Sequence, residues 1–111
     1  MADFDPEKFE DKYANYFTEL QRAYKNAFET MNERFDSELV HAIDQQVLNE
    51  SEPFYEDGAF RVELPDDPVD RVTAIVVEDE KVEATLERYV EEIEAELRGV
   101  FGLDEGDEPK A

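Results

Sequence analysis

From residue 79 to 102 apolar side chains return every three or four positions, at Val82, Leu86, Tyr89, Val90, Ile93, Leu97, Val100 and Phe101. That is the repeat of one helix face. Between them stand Glu83, Glu87, Glu91, Glu92, Glu94 and Glu96, so the spacing predicts a long amphipathic helix with one watered and one covered side. A second stripe, Phe9, Tyr13, Tyr16, Phe17, Leu20, Tyr24, Phe28, Met31 and Phe35, fills the first third of the chain. Asp5-Pro6 opens it, an acceptor side chain followed by a proline whose missing N–H is not needed in the first turn. Thr18 and Gln21 have capping-box spacing, which predicts two helices, 6–16 and 19–34, with a bend between them; an unbroken helix is the alternative. Ser37 is placed to cap a third helix reaching about Asn49, with Leu39, Val40, Ile43 and Val47 inward. Ser51-Glu52-Pro53 ends it.

The period then changes from helical to alternating. Phe54-Tyr55, a turn at Glu56-Asp57-Gly58, and Phe60, Val62 and Leu64 on one face predict a hairpin. After a Pro65-to-Pro68 loop, the β-branched run Arg71 to Val77 predicts a third strand. The expected fold class is α+β: N-terminal helices, a three-stranded antiparallel sheet and a long C-terminal amphipathic helix. It occupies one domain, 1–103, followed by a disordered acidic tail, 104–111.

Composition adds constraints. The chain has 111 residues, 41% of them hydrophobic, with eight Phe, five Tyr, no Trp and no Cys. That suffices for one aromatic-rich core, and it excludes disulfides and thiolate metal sites. The first residues lack the basic and apolar run of a secretory signal, and no segment has the length of a membrane span. A soluble, cytoplasmic protein is expected.

Charge changes the picture most. The chain carries 32 Asp and Glu against 11 Lys and Arg, a formal net charge of −21. This argues against plain binding to nucleic acid or an anionic membrane. The acids are interleaved with periodic apolar residues, so they coat a folded surface instead of forming a disordered block. Two readings follow: a surface adapted to concentrated salt, or a mimic of nucleic-acid charge that captures a basic protein. On the long helix Glu83–Glu87, Glu87–Glu91 and Glu92–Glu96 are like-charge neighbours one turn apart, and Glu94–Arg98 is the expected favourable pair.

The segments AFETMN, SELVHAIDQQVLNESEPFYE and RVELP, and with them the chain to about Leu103, resemble a haloarchaeal family of small acidic proteins known as a domain of unknown function. The resemblance implies salt adaptation and supplies no catalytic residues. It also implies a proline where Thr18 stands, which fits the two-helix reading of the first segment.

Candidate chemistry is sparse. Glu38 and His41 have the Glu-x-x-His spacing that supplies two metal ligands from one helix in carboxylate-bridged bundles. With a single histidine in the chain, a complete centre of that kind requires a second copy. Phosphate-binding glycine patterns and Ser-His or Cys-His nucleophiles are missing. Asp66-Asp67 and the acids Asp104, Glu105, Asp107 and Glu108 lack the order of a calcium loop. The expectation is a non-enzymatic interaction or accessory protein without a cofactor, partnered by another protein or by its own copy. The alternatives are a small metal-dependent enzyme using Glu38 and His41, and the charge mimic.

Overall fold

A computed structural model describes residues 5–56, 58–72 and 77–102. The expected tail and residues 73–76, the middle of the expected third strand, lie outside them.

The N-terminal segment begins as its sequence predicts and then departs. Asp5 Oδ1 accepts the Glu7 N–H at 2.9 Å, and Pro6 sits in the first turn of α1 (Pro6–Phe9). The chain does not run on as one helix to residue 16. It turns again through α2 (Lys12–Asn15), and Tyr16, at φ −132° and ψ 26°, separates that turn from α3 (Phe17–Arg34). The bend thus precedes Thr18, and the start of α3 has no side-chain cap. The cause is tertiary. The Tyr16 ring is drawn inward to 4.8 Å from Phe101, and its hydroxyl accepts the Asp5 N–H at 3.1 Å, an arrangement incompatible with continuing the helix.

In α4 (Ser37–Gln46) the cap is Asp36, not Ser37: Asp36 Oδ1 accepts the Glu38 N–H at 3.0 Å. The α-helix stops at Gln46, and a 3-10 turn over Leu48–Glu50 delivers the chain to Ser51. β1 (Glu52–Glu56) and β2 (Ala59–Glu63) pair antiparallel, with Glu56 opposite Ala59 across a two-residue connection. Gly58 there has φ +80°, a conformation glycine adopts without strain. Phe60 and Val62 are buried and Arg61 and Glu63 exposed, as alternation predicts.

The three-stranded sheet is overturned: among the described residues the sheet has two strands. Val69–Arg71, where the third strand was expected to begin, is a 3-10 turn. Arg71 explains it. Its Nε donates to the Asp66 carbonyl at 2.8 Å and its Nη1 to Glu50 at 2.8 Å, curling the loop back on itself. A β-branched run signals extended backbone but does not specify a ladder.

The long helix, α5 (Asp79–Val100), lies where its period places it, with Val82, Leu86, Tyr89, Ile93 and Leu97 buried. Its main partner is α3, and it also packs on α4 and β2. The face that α3 offers is Leu20, Ala23, Ala27 and Met31, rotated from the expected aromatic stripe. Two fully buried alanines let the helices approach closely, which leaves Tyr24 and Phe28 half-buried at the border. A satellite of rings joins distant parts of the chain: Phe101 stacks on Phe60 at 5.6 Å and meets Phe9 edge-on at 5.9 Å.

Candidate functional site

Where α2 gives way to α3, two aromatic side chains one turn apart face outward: Tyr13 is 55% and Phe17 52% exposed. They stand over a groove of about 430 Å³ whose other wall is Tyr24 and the Asn49–Ser51 corner, with buried Leu20 and Pro53 beneath. Ser51 Oγ donates to the Leu48 carbonyl at 2.7 Å, so the hydrogen bond of 3.3 Å between Ser51 and Tyr24 is donated by the tyrosine. Burial pushes the Tyr24 hydroxyl up to about 12, which keeps it a neutral donor. Desolvation, assisted by Glu52, also raises Tyr13. The groove therefore offers ring faces and a settled pair of hydroxyls.

Tyr13 is held from behind by a cation. The Lys12 side chain is 4% exposed, its Nζ is 2.8 Å from Glu52 Oε2, and it lies 4.8 Å from the Phe54 ring, 5.2 Å from Tyr13 and 5.5 Å from Phe9. Three ring faces and one carboxylate surround the ammonium. Arg61 lies 5.2 Å from the same Phe54 ring and grips Glu56 with two hydrogen bonds of 3.1 Å, which hold that carboxyl below its usual range. This cage was not read from the sequence; the available signal was Lys12 falling within the aromatic stripe.

The groove lies in the acid-poor part of the chain. From residue 12 to 28 there is one carboxylate, Glu19, against Lys12, Arg22 and Lys25; the remainder holds 31 of the 32 acids. Arg22 and Lys25 are exposed and make no ion pair among the described residues. They border a shallow trough continuous with the groove, since Gln21 and Tyr24 line both.

Glu38 and His41 share the exposed face of α4. His41 Nδ1 is 3.0 Å from the Ser37 carbonyl, which only accepts, so Nδ1 carries a proton and donates it. The ring stands edge-on to Phe28 at 4.9 Å. One turn on, Asp44 is half-buried, and Tyr89 directs its hydroxyl at Asp44 Oδ1 over a long 3.5 Å. Burial raises the Asp44 carboxyl above its usual range, the tyrosine and His41 opposing, and burial likewise raises Tyr89. Among the described residues no three His, Asp or Glu side chains are grouped to hold a metal ion.

No described helix is long and apolar enough to cross a membrane. No curated protein and no solved structure matches the chain. A family model does, over residues 1–104, and the chain accordingly belongs to DUF5783, a family of unknown function.

Proposed function

We propose that this is a non-enzymatic interaction module of a salt-rich, haloarchaeal cytoplasm, and that it docks a protein partner in the groove between Tyr13, Phe17 and Tyr24. One observation carries the reading: two large aromatic side chains stand half-exposed over a preformed groove, in the stretch that the acidic coat spares. Aromatic side chains anchored on rigid elements are what binding hot spots are made of. The groove's own polar groups, a neutral phenol and a serine already hydrogen-bonded, suit positioning better than proton transfer. The test is affinity capture at cellular salt with the wild-type chain and a Tyr13→Ser, Phe17→Ser double variant. A protein captured by the first and lost by the second supports the reading; identical captures overturn it. Light scattering in molar KCl covers the case of a second copy as partner, through a dimer that the double variant dissociates.

A second reading keeps Glu38 and His41 as ligands of a metal ion shared between two copies, favoured by the hydrogen bond from His41 Nδ1 to the Ser37 carbonyl, which fixes the ring on the exposed face of α4. A stoichiometric metal in protein purified without chelator, lost on His41→Ala, would put it first.

A further inference from the structure

Resting on the reading of the groove as a docking surface, we infer that its occupant is an acidic amphipathic protein segment, with apolar anchors among Tyr13, Phe17 and Tyr24 and carboxylates on Arg22 and Lys25. The argument starts from where acid is withheld. On a chain with 32 carboxylates, the exposed face of α3 from Leu20 to Phe28 has none. A coat that hydrates the surface has no role where another surface replaces the water. The cations point the same way. Among the described residues Lys12, Arg61, Arg71 and Arg88 each find a carboxylate, whereas Arg22 and Lys25, like Lys8, Arg34, Lys81 and Arg98, do not; what sets Arg22 and Lys25 apart is that they line the trough beside the groove.

Spacing makes the occupant specific. Arg22 and Lys25 follow Phe17 by about 7 and 12 Å along the axis of α3, one to two helical turns. Both cations sit farther round the helix than Phe17, across the trough that Gln21 and Tyr24 share with the groove, so a partner segment with a ring or leucine in the groove that crosses this trough brings its carboxylates to Lys25 and then to Arg22. Single-stranded nucleic acid also combines rings with negative charge, but it needs a run of cations along its backbone. This trough has two, and the Glu96 carboxylate reaches its wall, accepting from Asn26 at 3.3 Å.

The probes are a labelled synthetic helix of leucine, phenylalanine and glutamate, its twin with lysine for every glutamate, and oligouridylate. Anisotropy is read at the lowest salt at which melting shows the protein folded. The glutamate helix should bind about tenfold more tightly than its twin. Arg22→Glu with Lys25→Glu should reverse that order, and Phe17→Ser should weaken both helices. All three side chains are exposed, so the variants should melt like the wild type. Equal or tighter binding of the lysine twin, or an order unchanged by charge reversal, overturns the acidic partner; the groove survives if Phe17→Ser still weakens binding. Indifference to Phe17→Ser removes the groove as well. Tightest binding to oligouridylate overturns the proposal in favour of single-stranded nucleic acid.

Discussion

Lys12 and Glu52 form an ion pair whose two ends live in different solvents: the lysine is 4% exposed, the glutamate 46%. Removing one end is therefore unlike removing the other. Lys12→Met keeps the stem among the rings and leaves Glu52 in water, so it should shift stability by less than about 1 kcal/mol. Glu52→Gln strands a buried ammonium with only ring faces for company and should cost roughly 1–3 kcal/mol. Urea melts of the two variants check the order; a larger loss from Lys12→Met would mean the pair stabilises through its charge. Asp44 is a second residue under tension. Its carboxyl is raised by burial, so the folded chain binds that proton more tightly than the unfolded chain. The contribution then falls as pH rises through the window from the ordinary value of 3.8 to the folded value, and it is a penalty above that window. Asp44→Asn should raise the thermal midpoint slightly at neutral pH, by less than burial alone suggests because the group is half solvated. The gain should vanish in acid, where Asp44 is itself protonated. Melts of both chains across that range decide it.

At the scale of elements, what was legible was what is local. The α5 face, the Asp5-Pro6 start and the Phe60–Val62 alternation follow from periods and caps within a few residues. The break at Tyr16 does not, because Phe101, from the far end of the described chain, makes it. Nor does the true face of α3, where Ala23 and Ala27 carry a weak hydrophobic signal and are selected for closeness to α5. The same rotation hid the groove: Tyr13, Phe17 and Tyr24 read as core until alanines took their place. Glu38 and His41 were legible as a helix face, but among the described residues no third ligand is grouped with them. The charge pairs of α5 also differ, since Arg88 reaches Glu92 at 3.5 Å and Glu91 at 3.9 Å while Glu94 turns to the Val62 N–H at 3.4 Å. The face itself gives a sharp expectation. Leu86→Ala, Ile93→Ala or Leu97→Ala should each cost about 2–5 kcal/mol, whereas Glu87→Gln should be neutral or slightly stabilising in dilute salt. Equal losses in denaturant melts would show that packing on α3 is not what holds the helix.

For the whole molecule the question is how −21 charges coexist with a small core. The longest dimension is 44 Å. At ~0.01 M salt the screening length is about 30 Å, so carboxylates on opposite sides still repel; at ~1 M it is about 3 Å and they scarcely interact. Stability of order 5–15 kcal/mol is easily eroded by such a field. The thermal midpoint should therefore rise clearly from dilute buffer to molar KCl at fixed protein concentration, as read by circular dichroism. A flat or falling midpoint would show that repulsion is not limiting and would favour the mimic of nucleic-acid charge.

The ring cluster has a consequence for how the chain is made. Phe9, Tyr16, Phe60 and Phe101 close on one another, so the ring cluster is complete only once Phe101, at the end of the last helix, joins the first helical turns. Until then Phe9 and Tyr16 lack the ring that both of them meet. A chain cut before Phe101 should therefore be cleaved faster around its first helical turns than the whole chain, which limited proteolysis of the two checks.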